Sequence, residues 1–217
     1  MKILLLGATG RTGRLVLKYL INNGHKVHCL ARKTYRIEQH NNVKLFEGDP
    51  TNKKDLKKAI YGTDYVISVL NISRKSDFPW APLRTSKTFL SDVLKELTEL
   101  AEEIQIKRLI VCSAWGVSES RKDIPIWFRW TIDNSNIGWA YKDHHRQEEI
   151  IIKSKINWTI VRPVGLTNSK KKEEIKMTFN NYPKPNILIS RLSVAKFLVD
   201  TITKSDLVNK VVVISKK

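Results

Sequence analysis

The sequence predicts one α/β domain over residues 1–217, a doubly wound, mostly parallel sheet with helices on both faces. Short apolar runs alternate with longer amphipathic runs along the chain, which is typical of parallel strands joined by right-handed crossover helices. The first apolar run ends in a glycine cluster, as strands do where they turn into a helix. No repeat, low-complexity segment or linker divides the 217 residues, so we expect a single domain.

The elements follow one another in a regular order. Apolar or alternating runs predict strands, and they cover residues 2–7, 26–32, 43–49, 64–70, 107–116, 157–163, 186–190 and 210–215. Apolar residues at helical spacing predict helices, and they cover residues 14–24, 51–62, 85–105, 143–155 and 193–204. The run over 107–116 is almost continuously apolar, which is typical of a strand buried on both faces. The stretch 115–140 is rich in tryptophan and less regular.

Composition and charge narrow the functional classes. No apolar run approaches the roughly 18 residues that a membrane span needs, and the apolar start is too short for a signal peptide. Cys29 and Cys112 lie in apolar runs, so we expect buried free thiols, a cytoplasmic protein and no membrane partner. The net charge is +18, but the lysines are scattered. A nucleic-acid partner is therefore not favoured, and we expect a monomer or homodimer without a metal ion.

Three glycines follow the first strand at three-residue intervals, Gly7, Gly10 and Gly13. Between a strand and a helix, such glycines permit a sharp turn, a close approach of a pyrophosphate, and tight packing of helix on strand. An ordinary ligand-free turn remains the alternative. In the first interpretation, further contacts to the cofactor come from neighbouring residues, namely Thr9, Arg11 and Thr12.

Several motifs together resemble one superfamily. "GATGRTG" (7–13), "EGDPTN" (47–52), "KRLIVCSAWGV" (107–117) and "KDHHRQEEIIIKSKINWTIVRP" (142–163) are similar to motifs of the atypical short-chain dehydrogenase/reductase superfamily. The resemblance is strongest to its small NAD(P)H-binding members, similar to biliverdin-IXβ reductase/flavin reductase and to NmrA-like proteins. It implies a Rossmann fold that binds a nicotinamide cofactor.

The second strand indicates which cofactor. It ends in "CLARKTYR", with Arg32 and Arg36 and no acid, whereas an NAD site usually places an acid there for the ribose hydroxyls. Guanidinium groups bind phosphate bidentately, so we predict NADP(H), although these arginines are also consistent with ordinary exposed basic residues. The resemblance adds Asp49 at the adenine, which is equally a helix-start residue. Leu70 and Asn71 are assigned to the nicotinamide-side ribose only by their position after the fourth strand, and the resemblance places Pro163 and Val164 beside the carboxamide.

The candidate catalytic residues are Ser113, Tyr141 and His144. Many members of the superfamily use a serine, a tyrosine and a lysine four residues later, which lowers the pKa of the tyrosine. Here Ser113 fits the serine, but His145 stands four residues after Tyr141, so the pair is broken. His144 lies near the pocket in the resembled proteins, or it is a helix-start histidine bonded to the backbone. Gly165 replaces a histidine of the biliverdin-reducing proteins, and Glu148 and Glu149 suggest a solvated helix face.

Three functions are compatible with these residues. The first is an NADPH-dependent reductase that transfers hydride to a flat conjugated acceptor, such as a flavin or quinone. The second is an NmrA-like redox sensor that binds NADP(H) without turnover and reports to a protein partner. The third is a sugar-nucleotide epimerase or dehydratase. We expect the substrate-side elements at about 115–140 and 163–192, where the tryptophans either stack on an aromatic ligand or pack as a lid or dimer surface.

Overall fold

A computed structural model describes residues 1–171 and 173–217. The strands are β1 (Lys2–Leu6), β2 (Lys26–Ala31), β3 (Val43–Glu47), β4 (Tyr65–Ser68), β5 (Arg108–Cys112), β6 (Trp158–Pro163), β7 (Gly165–Thr167), β8 (Ile175–Thr178), β9 (Leu188–Ser190) and β10 (Lys210–Lys216). Eight of them form one sheet in the order β3-β2-β1-β4-β5-β6-β10-β8, parallel except at the β8 edge. The order reverses between β1 and β4, as in a doubly wound fold. The predicted Rossmann fold class is confirmed.

Helices cover both faces of this sheet. They are α1 (Arg11–Asn22), α2 (Lys53–Ile60), α3 (Phe89–Ile104), α4 (Ile126–Asp133), α5 (Ile137–Lys153) and α6 (Arg191–Asp200). Apolar residues of α1 and α6, among them Val16 and Phe197, form one core with one face of the sheet. Residues of α2, α3 and α5, among them Leu56 and Leu94, form the second core with the opposite face. Helices α1, α2 and α3 bury the apolar stripes that their sequence spacing predicts.

The segment 115–140 is more regular than its sequence indicates. A short 3-10 helix (Ser118–Asp123) and α4 lie there, and α5 begins at Ile137 rather than at 143. The start of α5 packs so tightly on the end of α4 that a Cβ on Gly138 would lie 2.5 Å from the carbonyl oxygen of Ile132. The sequence obscured these helices because their tryptophans do not follow a clear apolar stripe and no side chain caps either start.

The carboxyl-terminal strands also differ from the prediction. The run 186–190 contributes only β9, which pairs with β7 in a separate two-stranded sheet. The edge strand β8 was not predicted, since its four residues are mostly half-buried and pair on one side with β10. Strands this short carry little periodic signal.

Asp143 ties two helices together. This residue of α5 is fully buried, and its carboxylate accepts hydrogen bonds from the backbone N–H of Leu90 at 2.6 Å and from Ser91 Oγ at 2.6 Å. The start of α3 thus receives its negative cap from another helix, where a carboxylate stabilises free amides and the helix dipole. The aspartate of the "DHH" motif therefore positions α3 and α5.

Candidate functional site

The glycine turn after β1 is a tight cradle. Gly7 has a φ of +88°, and a Cβ there would lie 2.9 Å from the carbonyl oxygen of Val69. A Cβ on Gly13 would lie 2.0 Å from the carbonyl oxygen of Gly7, whereas one on Gly10 would meet that oxygen at 3.3 Å. Gly7 and Gly13 are therefore required by packing, while a Cβ on Gly10 would need only a small shift of the Gly7 carbonyl. This is the geometry in which a pyrophosphate approaches free amides at a helix start.

Arg11 is the first residue of α1, and its side chain forms an ion pair with an acidic residue. Its guanidinium donates two hydrogen bonds to Asp77, at 2.7 and 2.8 Å, and both residues are exposed. These bonds lower the pKa of the Asp77 carboxyl. Burial lowers the pKa of Arg74 and of Arg191, the charge of Arg11 lowers each further, and Asp77 raises both. One carboxylate thus lies among three arginines at this end of the sheet, which favours anionic ligands.

The predicted phosphate-selective arginines lie beside the cradle. Arg32 directly follows β2, the strand that pairs with β1, and Arg36 ends a short 3-10 helix (Thr34–Arg36). Both side chains are exposed. Asp49 follows β3, and its Oδ1 accepts hydrogen bonds from the Thr51 N–H and Oγ1 at 2.9 and 2.8 Å. Asp49 therefore shapes the turn before α2, and its contact with adenine stays a prediction.

The carboxyl ends of β4, β5 and β6 bring the nicotinamide-side residues together. Leu70 and Asn71 follow β4, Pro163 ends β6, and Val164 comes directly after it. Between them Ser113 is 4% exposed, and its N–H donates to the Val161 carbonyl at 2.7 Å. Its Oγ is buried and has no hydrogen-bond partner within residues 1–171 and 173–217. Because an unpaired buried hydroxyl is costly, this atom fits a ligand that supplies the partner.

The environment of Tyr141 is unsuited to acid–base catalysis. Its hydroxyl donates to the Trp115 carbonyl at 3.2 Å, and its ring packs edge-on against Phe128. Burial raises the pKa of this phenol, the opposite of what a proton-transferring tyrosine requires. Lys142 lies over the ring of Trp139, 4.9 Å from its centroid. These contacts of Tyr141 and Lys142 do not supply the tyrosine–lysine pair that the sequence lacks.

His144 lies in the interior of α5, not at a helix start. It is 3% exposed, its Nδ1 lies 2.6 Å from the Gln147 amide nitrogen, and burial lowers its pKa to about 4. The ring is therefore neutral at physiological pH, and its Nδ1 accepts from the amide. Its role at the pocket stays a prediction. The two cysteines are free, as expected, and burial raises the pKa of each to about 12.

Comparison with known proteins places the chain in a family. A family model described as NAD(P)H-binding matches residues 7–205. The chain belongs to this NAD(P)H-binding family. That membership confirms the resemblance drawn from the sequence motifs, and it covers the glycine cradle, Ser113 and α5 together. The fit of the cradle and of the unpaired Ser113 hydroxyl agrees with a nicotinamide cofactor.

Relatives of this NAD(P)H-binding protein include oxidoreductases. Oxidoreductase aflX of Aspergillus parasiticus is 30% identical over 76% of this chain and 65% of its own length. The photosystem II assembly factor Ycf39 of Cyanophora paradoxa is 26% identical over 76% of this chain and 46% of its own. The chain thus spans less than two thirds of the length of these curated relatives.

Solved structures share the fold over the whole chain. A short-chain dehydrogenase/reductase from Veillonella parvula in complex with NADP has a TM-score of 0.80 at 20% identity, covering 99% of this chain and 94% of its own. ChuY, an anaerobilin reductase from Escherichia coli O157:H7, has a TM-score of 0.81 at 17% identity, covering 100% and 97%. At these identities the likeness concerns the fold.

One buried ion pair of this NAD(P)H-binding protein, between β6 and α5, was not predicted from the sequence. Arg162 of β6 has a side chain 2% exposed, and it pairs with the equally buried Glu148 at 2.6 Å and with Glu119 at 2.5 Å. Burial opposes its charged form, but hydrogen bonds to both carboxylates outweigh burial and raise its pKa. The expectation of a solvated face is therefore wrong for Glu148, because its side of α5 faces the sheet. Glu149 is about half exposed.

A pocket of about 530 Å³ opens beside this pair. Tyr141, Trp139 and Gly116 contribute to its lining, together with Ser118 and His145, whose Oγ and Nδ1 lie 2.8 Å apart. Most of its lining lies within the segment predicted to be substrate-side, and Tyr141, Lys142 and His145 lie just beyond it. Among the described residues, neither Ser113 nor the cradle glycines line this pocket.

Proposed function

We propose that the protein is an NADPH-dependent reductase that transfers hydride to a flat conjugated acceptor, such as a flavin or quinone. The observation that carries the proposal is Tyr141, whose hydroxyl is bonded to the Trp115 carbonyl and whose pKa is raised by burial. Reduction of an isolated carbonyl needs an acid at the oxygen. A flavin or quinone ring stabilises the added electron pair by conjugation, so it needs mainly positioning and exclusion of water.

Each group of residues has a separate task in this reductase. The amides of the glycine cradle and Arg11 hold the pyrophosphate, and Arg32 and Arg36 bind the 2′-phosphate. Ser113 offers its unpaired hydroxyl to the nicotinamide carboxamide. When bound, NADPH supplies the hydride. The acceptor gains that hydride and one proton from water, and NADP⁺ remains.

The arginine-rich end of the sheet supports acceptors that carry a negative group. Arg74 and Arg191 lie near Asp77 and Arg11, and Arg191 also donates to Asn168 Oδ1 at 2.7 Å. Flavin mononucleotide and riboflavin have the same ring, but only the former carries a phosphate. We therefore expect flavin mononucleotide to have the lower KM of the two.

The test is steady-state NADPH oxidation with flavin mononucleotide, menadione and dichlorophenolindophenol. Turnover is expected with at least one acceptor. Tyr141→Phe should change kcat/KM by less than about threefold, since the hydroxyl takes no part in the reaction. Ser113→Ala, which removes the hydroxyl assigned to the nicotinamide carboxamide, should weaken NADPH binding. A hundredfold loss of kcat in Tyr141→Phe would overturn the mechanism, and tight NADPH binding without any turnover would favour the redox-sensor alternative.

A further inference from the structure

Five large apolar side chains form an exposed surface at α4 and the loop after β4. Ile126 is 82% exposed, Trp127 65% and Trp130 58%, and across from them Phe78 is 62% and Trp80 45% exposed. We call these five residues the aromatic face. By contrast, Trp115 and Trp158 are less than 10% exposed. Contiguous exposed apolar surface of this kind marks an interaction site.

Backbone and side-chain contacts tie the loop after β4 to the end of α4. Trp80 Nε1 donates to the carbonyl of Asn134 at 2.6 Å, and the Asn134 N–H donates to the carbonyl of Trp130 at 3.0 Å. The rings of Phe78 and Trp80 lie 5.3 Å apart. Ile126 and Trp127 are adjacent and Trp130 lies one turn further along the outer side of α4, while Ile132 on its inner side is 2% exposed. The aromatic face is therefore held in place by the fold.

The charges around the aromatic face are mainly positive. Lys75 and Lys122 are exposed, and Arg129 of α4 donates to the Lys122 carbonyl at 3.0 Å, a bond that leaves its charge uncompensated. The nearby acids Asp77 and Asp133 are paired with Arg11 and Arg121, while Asp123, next to Lys122, adds one negative charge to the rim. The chain as a whole carries +18. A second copy would bring the same positive rim against itself, because a twofold contact joins identical patches.

We propose that the aromatic face docks on the surface of an anionic lipid bilayer. Tryptophan rings settle at the headgroup level, where one edge is apolar and the other is wet, and Ile126 enters the acyl boundary beside them. Lys122 and Arg129 meet the negative headgroups. A nucleic acid would use the tryptophans for stacking but would leave Ile126, the most exposed of the five, without a partner. None of the helices in the described residues is long and apolar enough to span a bilayer, and surface docking needs no such helix.

The test is co-sedimentation of the full chain with two kinds of vesicle, phosphatidylcholine alone and phosphatidylcholine mixed with phosphatidylglycerol. Binding is expected to the anionic vesicles, with a blue shift of tryptophan fluorescence, and it should weaken at high salt. The double variant Trp127→Ser/Trp130→Ser should bind at least about tenfold more weakly, since it loses two of the five apolar side chains, including the most exposed tryptophans of the face. The matched control Tyr35→Ser/Tyr182→Ser removes two rings that are 76% and 82% exposed elsewhere and should bind as the unaltered chain does.

Separate measurements keep the result interpretable. Thermal unfolding and NADPH titration of the double variant should match the unaltered chain, because the two tryptophans touch neither the cradle nor Ser113. Equal vesicle binding by the double variant would overturn the proposal, as would an absence of binding to anionic vesicles. Self-association or oligonucleotide binding that the double variant loses, without vesicle binding, would also overturn it and assign the face to a second copy or to nucleic acid.

Discussion

The buried pair of Arg162 and Glu148 permits a quantitative prediction about stability. Glu148→Gln keeps the shape of the side chain. Among the described residues it leaves the guanidinium, which is 2% exposed, with Glu119 as its charged partner, and the Glu119 side chain is 67% exposed. Removing one partner of a buried ion pair costs about 3–5 kcal/mol. Because Glu119 still offsets part of the charge, we expect the lower end, about 3 kcal/mol, and a Tm roughly 6–12 °C lower for a chain of this length.

Urea unfolding and calorimetry of Glu148→Gln and Glu149→Gln measure this difference. Glu149 is the matched control, because it is the next residue of the same helix, carries the same charge, and is about half exposed. Its replacement should change stability by less than about 0.5 kcal/mol. A loss of stability below about 1 kcal/mol for Glu148→Gln would refute the reasoning that the pair is shielded from water and that Arg162 depends on the Glu148 carboxylate.

Three further outcomes follow from the site. Gly10→Val should abolish NADPH binding but lower the Tm only modestly, because the backbone of Gly10 is extended and its new Cβ would meet the Gly7 carbonyl oxygen at 3.3 Å, a contact that a small shift relieves; retained affinity in a fluorescence titration would disprove the cradle. Arg32→Ala/Arg36→Ala should weaken NADPH at least about tenfold and NADH little, and equal losses for the two cofactors would contradict the phosphate assignment. His144, with a pKa of about 4 against 6.5 unfolded, binds fewer protons when folded, so stability should fall by about 2 kcal/mol between pH 7 and pH 5. His144→Gln should flatten that dependence in urea unfolding, and an unchanged slope would contradict it.

Strands β1 to β6 and the glycine turn could be predicted from sequence because local patterns determine them. The run over 2–7 and the glycines after it carry both the apolar strand signal and the turn signal, and the structure confirms that arrangement. The apolar run 107–116 likewise became the buried β5. These signals arise within a few residues of the feature itself, so no knowledge of distant contacts is needed.

The interior contacts of the site could not be predicted, because they join residues far apart in the chain. Nothing near Glu148 in sequence shows that Arg162 lies opposite it, and a helical glutamate next to another glutamate resembles a solvated face. Asp143 capping α3 across 53 residues is a similar case. A weak signal did exist for Arg162, since an arginine in the otherwise apolar "WTIVRP" run must find a buried carboxylate.

The contact between Asp77 and Arg11 links cofactor affinity to the position of the loop that carries Phe78 and Trp80. An anionic ligand that takes Arg11 has to displace Asp77, so the loop is in competition with the cofactor for one guanidinium. A surface that binds the aromatic rings and draws the loop outward would therefore tighten cofactor binding. By thermodynamic linkage, bound cofactor would tighten the binding of that surface by the same factor. With the proposed role of Arg11, this NAD(P)H-binding chain would therefore bind its cofactor most tightly where the loop is held by another surface.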